Sequence, residues 1–255
     1  MAEIKGIDVS YHNGAVNWRK VANTGVQFAI IRACYGWDND KQIDKQLAAN
    51  VAGCEAQGIP YGFYHYSYAE SAEDARKEAR FFLRVIKGYK PTYPVYFDFE
   101  ENFQLAYTAE KQLQIIEAFL AEVEAAGYFA GLYMSASPLQ KLYNYAPERV
   151  KKFSTWVAHI GVNKPSYSGP YAMWQYSWVG KVDGSSADTD MNIAYTDFPV
   201  IIKRNGLNGW ADAGKAEAPE VETVTLEKYN ALQAKYDALR AKVENFIKDI
   251  ENGKE

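Results

Sequence analysis

Cysteine and histidine are scarce in this chain, at two and three residues among 255. Cys34 follows an apolar run and Cys54 sits in a helical stretch. They form neither a disulfide framework nor the repeated Cys/His spacing of a structural metal site. An excess of positive charge is also missing. Twenty-eight Lys and Arg stand against 32 Asp and Glu, for a formal net charge of −4, whereas nucleic-acid binders carry a basic face. No nucleic-acid partner is expected. No apolar run approaches the roughly 20 residues that span a bilayer, so no membrane insertion is expected either. The N-terminus enters Ile4-Lys5-Gly6-Ile7-Asp8 without an apolar leader, and the expectation is a chain made in the cytoplasm with no signal peptide.

Aromatic residues, by contrast, are abundant. Twenty Tyr, 12 Phe and six Trp are more than a core requires, and flat rings with polar edges make good platforms for sugars. The length allows one domain of about 200 to 250 residues, or one domain and a tail. The most informative stretch is Tyr93-Pro94-Val95-Tyr96-Phe97-Asp98-Phe99-Glu100-Glu101, which reads as a buried strand ending in carboxylates. Side chains alternate along a strand, so Asp98 and Glu100 share one face while Phe97, Phe99 and Glu101 take the other. Two carboxyls held side by side in a partly buried place raise one pKa, and that split serves acid/base hydrolysis. Acids that merely cap the end of a strand are the competing reading.

Along the chain, apolar strands are predicted at Ile4–Val9, Phe28–Ala33, Ile59–Tyr66, Tyr93–Glu100, Ala130–Met134, Thr155–His159 and Tyr171–Tyr176, with a last one before Asn192. Helices follow Asn17, run from Asp44 to Gln57, and start at the caps Ser71, Thr108 and Ser137-Pro138. Strands that alternate with helices and are hydrophobic throughout predict a parallel sheet covered on both faces, and about eight of them predict an irregular (β/α)8-type, TIM-like barrel of the α/β class. In such barrels the site lies at the C-terminal ends of the strands. That rule gathers Asp8, Arg32, Tyr64, Tyr66, Asp98, Glu100, Tyr133, Trp156, His159 and Gln175 at one mouth. The barrel is expected over residues 1–204 and a linker over 205–224. Beyond these, Tyr229, Leu232, Tyr236, Leu239, Val243, Phe246 and Ile250 repeat at three and four. They predict a coiled-coil-like C-terminal helix over 225–255, suited to self-association through 225–250 or to cell-wall targeting.

Seven segments in order carry a family resemblance: Gly6-Ile7-Asp8-Val9-Ser10, Ala29-Ile30-Ile31-Arg32-Ala33, Gly62-Phe63-Tyr64-His65-Tyr66, Tyr96-Phe97-Asp98-Phe99-Glu100, Trp156-Val157-Ala158-His159, Trp174-Gln175-Tyr176 and Asp190-Met191-Asn192. Over about residues 4 to 198 the chain resembles the glycoside hydrolase family 25 lysozymes, the Chalaropsis-type muramidases that many bacteriophage endolysins carry. The resemblance implies hydrolysis of the β-1,4 bond between N-acetylmuramic acid and N-acetylglucosamine in bacterial peptidoglycan, on a barrel with few helices late in the chain. It places the acidic cluster on Asp8, Asp98, Glu100 and Asp190. Glu100 matches the general acid, and Asp98 the neighbour that stabilises charge or orients the acetamido group. Thr189 departs from the valine usual before the last Asp, which leaves Asp188 a rival to Asp190, although the Asn two places on favours Asp190. The source that fits is a phage endolysin, released from the host cytoplasm by a holin or by lysis.

Chemistry read from the residues alone decides less. Glycosidase carboxyls stand about 5 to 5.5 Å apart when one is a nucleophile and about 6.5 to 9.5 Å apart when a water fits between. Rotamers of same-face neighbours reach either class, and substrate assistance by the N-acetyl oxygen, with Asp98 steadying it, is the preferred third route. Tyr64, Tyr133 and Trp156 are candidates for stacking on sugar, with core packing as the rival. His65 reads as a core residue, and Arg32 reads either as a substrate contact or as the ion-pair partner of an acid. No cofactor and no metal are expected. Two other functions compete: a divalent-metal hydrolase using the four carboxylates, and a non-catalytic sugar-binding module.

Overall fold

Eight strands close into a barrel in chain order in the computed structural model, which describes residues 3–211. They are β1 (Ile4–Val9), β2 (Phe28–Tyr35), β3 (Tyr61–Tyr66), β4 (Val95–Asp98), β5 (Ala130–Ser135), β6 (Ser154–Ala158), β7 (Met173–Gly180) and β8 (Thr189–Ala194). Between them run α1 (Trp18–Val21), α2 (Leu47–Gln57), α3 (Ala72–Ile86), α4 (Asn102–Leu105), α5 (Ala109–Ala125), α6 (Ala136–Tyr145) and α7 (Pro147–Val150), and α8 (Phe198–Arg204) follows β8. Strands β1 to β7 pair in parallel, as expected. The wholly parallel sheet fails at the closing strand, because β8 runs antiparallel to both β7 and β1. Residues 181–188 join β7 to β8 directly, and a connection without a crossover makes antiparallel neighbours.

Alternation sorts the side chains into two cores. Ile7, Ile31, Phe63, Phe97, Leu132 and Val157 face outward and pack with the helices, while Phe28, Ile30, Tyr96, Trp156 and Met173 fill the barrel interior. The large interior rings need space opposite them. A Cβ on Gly6 would lie 2.4 Å from the Phe28 ring, and one on Gly131 would lie 2.4 Å from the Tyr96 ring, so these strand glycines are the holes that receive the rings. His65 belongs to the outer core, as expected. It is fully buried, 3.2 Å from Glu78 and 3.3 Å from Cys34. Both cysteines are buried and free.

The helix caps Asn17, Ser71 and Thr108 accept backbone N–H groups as their sequence predicts. The cap at Ser137 does not form: α6 begins at Ala136 straight from β5, and Pro138 falls in the first turn, where its missing N–H has no intrahelical role. The strand predicted to reach Glu100 stops pairing at Asp98. At the N-terminal end of the barrel, Asn208 is fully buried, accepting from the Phe129 N–H and donating to the carbonyls of Pro91 and Tyr93. Trp210 donates to Pro91 as well. Residues 207–210, within the stretch expected as a linker, cover the barrel floor with apolar and amide side chains, and the rest of that stretch from 212 lies outside the described residues. The helix expected over 225–255 and the self-association through 225–250 lie outside the described residues. Among the described residues no helix is long and apolar enough to cross a membrane.

Candidate active site

The C-terminal ends of the strands surround a hollow of about 300 Å³ lined by Asp8, Arg32, Tyr64, Tyr66, Asp98, Glu100, Tyr133, Trp156, Gln175 and Asp190. All but Asp190 are gathered at the mouth by the barrel rule, and Asp190 is implied by the family resemblance. A second hollow of about 680 Å³ adjoins it, sharing Glu100, Tyr133, Gln175 and Asp190 and extending past Ser137 to His159 and Trp178. His159 is thus in the cleft but away from the acids, its Nδ1 accepting from the Ser166 N–H at 3.0 Å. Glu100 and Asp190 stand where the two hollows meet.

A hydrogen-bond chain fixes one wall. Gln175 Nε2 donates to Asp8 Oδ2 at 2.9 Å and to Asp190 Oδ2 at 3.3 Å, while its Oε1 accepts from the Tyr133 hydroxyl at 2.8 Å. Asn192 Nδ2 donates to Asp8 Oδ2 at 2.8 Å, and its Oδ1 accepts from Trp156 Nε1 at 2.8 Å. Asp190 pairs in register with Asp8 across β8 and β1, whereas Asp188, which also lines the hollow, is paired with Lys181. The geometry favours Asp190 over its rival as the fourth acid of the cluster.

Every carboxyl of this cluster holds its proton above the ordinary range. Burial is the first cause for Asp8, followed by the charge of Asp190. Burial raises Asp98 as well, with Glu100 and Asp8 adding to it and Arg32 opposing. Glu100 is raised by burial, then by Glu101 and Asp190, and Asp190 by burial against a hydrogen bond from Asp8. Carboxylates brought this close in a dry place cannot all ionise, so the site contains proton-bearing acids beside potential anions. Among the described residues no group of three or more His, Cys, Asp or Glu is placed to hold a metal ion.

Val9, Ser10, His12 and Asn13 also line the first hollow without having been read from the sequence, and neither were Asp44, Glu101 and Trp178. Asp44, expected to open a helix, instead accepts from Arg32 Nε at 2.8 Å and from the Tyr11 N–H at 3.0 Å. Arg32 is therefore the ion-pair partner of an acid, and that acid is Asp44. Glu101 does not turn away from the mouth as alternation predicts, because the chain leaves the strand after Asp98. Its Oε1 accepts from the Tyr66 hydroxyl at 2.9 Å. Trp178, 61% exposed at the end of the cleft, gave no signal beyond being an aromatic near the end of β7.

Known proteins share this architecture. The sequence profile of the glycosyl hydrolases family 25 matches residues 7–185. Lysozyme M1 of Streptomyces globisporus is 30% identical over 201 residues, covering 74% of this chain and 67% of that protein. The modular autolysin LytC of Streptococcus pneumoniae, solved in complex with a synthetic peptidoglycan ligand, matches with 30% identity and a TM-score of 0.66. That match covers 76% of this chain and 47% of the autolysin, so the chain spans about half of the autolysin's length. The catalytic domain of an endolysin from a bacteriophage of Listeria monocytogenes matches with 26% identity and a TM-score of 0.63, over 79% of this chain and 97% of the domain. With its profile match, its lysozyme relative and a barrel mouth crowded with carboxyls, the chain belongs to the glycosyl hydrolases family 25 and is a glycoside hydrolase of the lysozyme type.

Proposed function

We propose that the chain hydrolyses the β-1,4 bond between N-acetylmuramic acid and N-acetylglucosamine in peptidoglycan, with Glu100 as the general acid. The observation that carries this assignment is the position of Glu100 at the junction of the two hollows, with its proton held up by burial and by Glu101 and Asp190. The glycan lies across the junction. Its muramyl residue occupies the acid-lined hollow, and its glucosaminyl leaving group occupies the hollow toward His159 and Trp178.

Glu100 gives its proton to the glycosidic oxygen as the bond to the anomeric carbon breaks. The acetamido oxygen of the muramyl residue closes on that carbon, while Asp98 accepts the acetamido N–H on Oδ1, an atom that has no partner among the described residues. Arg32 offsets part of the cost of Asp98's charge. Water then attacks the anomeric carbon and gives its proton to the Glu100 carboxylate, restoring the acid. Asp8 and Asp190, tied through Gln175 and Asn192, set the wall against which the sugar lies. Tyr64, Tyr66, Tyr133 and Trp156 supply the apolar surface.

Mass spectrometry of fragments released from purified peptidoglycan tests this reading. New reducing ends should be muramic acid, and activity should survive EDTA, since proton transfer by carboxyls suffices for acetal cleavage. Reducing-end glucosamine, or loss on chelation that Mg²⁺ restores, would overturn it. The place of action is the bacterial cell wall, and release by a holin-type pore or by lysis is the proposed route. The match to a phage endolysin domain over 97% of its length supports that route. Lysis from within an expressing bacterium should then require co-expression of a pore-forming holin.

A further inference from the structure

The acid-lined hollow contains one arginine, and one arm of it is unused. Arg32 is 8% exposed, with its Nε bonded to Asp44 and its guanidinium carbon 4.7 Å from the centre of the Tyr11 ring. Among the described residues its Nη2 is buried with no acceptor, just as Asp98 Oδ1 is buried with no donor. Buried polar atoms are almost always satisfied, because an open one carries the full cost of lost hydration. A donor on β2 and an acceptor on β4, each unpaired on a residue that lines the same hollow, point to a ligand that presents the complementary pair.

A muramyl residue does so on adjacent carbons. Its acetamido N–H at carbon 2 suits Asp98 Oδ1, as proposed above, and its lactyl group at carbon 3 carries a planar acyl oxygen where glucosamine has only a hydroxyl. We propose that Arg32 Nη2 donates to the lactyl acyl oxygen and thereby selects muramyl over glucosaminyl residues at the site of cleavage. The arginine fork favours planar acceptors. With Asp8, Asp98, Glu100 and Asp190 lining the same hollow, a neutral acyl group is favoured over a free carboxylate. The preferred form is therefore the lactyl amide of a peptide-substituted strand. Tyr11, whose ring lies against Arg32, and Tyr68, edge-on to Tyr66, are 40% and 43% exposed and give the stem peptide a surface to leave over.

This inference rests on the muramidase reading, and the test separates the two. Arg32→Lys keeps a cation for Asp44 but removes the forked second arm, and its melting temperature checks that the fold survives. With this variant the ratio of kcat/KM on intact peptidoglycan to kcat/KM on amidase-stripped glycan and on chitotetraose should fall about 10-fold or more, the usual worth of a hydrogen bond to a charged group. In a Glu100→Gln background, calorimetric titration with a muropeptide disaccharide and with chitotetraose should show the same fall in affinity ratio when Arg32→Lys is added. Equal losses on all ligands, or none, would assign Arg32 to holding Asp44 or Asp98 and overturn the proposal. If Arg32→Lys does not fold, Arg32→Gln in the same titration decides by the same ratio. A wild-type enzyme that releases no reducing muramic acid would instead overturn the muramidase reading itself.

Discussion

The two ends of this barrel bury polar side chains to a similar degree and treat them in opposite ways. At the N-terminal end Asn208 is fully buried and uses both ends of its amide, accepting at 2.8 Å and donating at 2.9 and 3.1 Å. The rings of Phe28, Tyr93 and Phe198 close over the same floor, with centroids 4.4 and 5.4 Å apart. At the mouth Asp98 is 5% exposed, yet its Oδ1 has no hydrogen-bond partner among the described residues, and burial and like charge hold its proton up. Burial at the floor stabilises the fold. Burial at the mouth leaves bonding capacity for a substrate and costs stability, as active sites commonly do.

The largest expected effect belongs to the mouth. Glu100→Gln keeps the shape of the side chain and removes its transferable proton, so turnover on cell walls should fall about 10²- to 10⁴-fold, the range for general acid catalysis, with the melting temperature unchanged. Wild-type turnover in this variant would remove Glu100 from its role. Asp98→Asn should also lose most activity, while its fold becomes more stable at neutral pH by about 0.5–2 kcal/mol. The sign follows from the raised carboxyl. The folded state binds this proton more tightly than the unfolded chain, so the contribution is fully present below about pH 4 and is lost as pH rises through the folded value. Denaturant melts from pH 4 to 8 should show the variant gaining on the wild type as pH increases. A constant gap would contradict the burial argument.

The floor gives the converse. Asn208 has a positive φ of 55°, so Asn208→Gly keeps the backbone conformation and deletes only the amide. Stability should fall by about 1–3 kcal/mol, the cost of stranding buried partners, while kcat/KM per folded molecule stays the same. A loss of activity without a loss of stability would mean that the floor communicates with the mouth.

The same contrast separates what is legible in the sequence from what is not. Strand and helix alternation, the outer-core place of His65 and the gathering of acids at one mouth all follow from local periodicity and the barrel rule. The direction of β8 did not follow, since an apolar strand reads the same either way and only the absence of a crossover decides. Asp44 was hidden because its position before α2 suits a helix start, while its actual partner, Arg32, lies on another element. Glu101 was misplaced because alternation holds only while the strand lasts. Its backbone N–H already donates to Gln104 Oε1 in the turn into α4, and there the period of two ends.

Glu101 therefore supplies the smallest and most discriminating test of the mouth. Its charge is the first electrostatic cause, after burial, of the raised Glu100 proton affinity, and it also accepts from Tyr66. Glu101→Gln removes the charge but retains an oxygen for that hydroxyl. With less like charge nearby, Glu100 gives up its proton at lower pH, so the alkaline limb of kcat/KM should move to lower pH. The energy involved is on the order of 0.2–1 kcal/mol, as for a partly exposed pair, and the rate at the optimum changes little. Tyr66→Phe deletes the hydrogen bond without altering charge on the acids, so it should leave the limb in place. Should Tyr66→Phe move the limb as far as Glu101→Gln does, the hydrogen bond rather than the charge would be the control. An alkaline limb unmoved by Glu101→Gln would instead mean that burial alone sets the proton affinity of Glu100.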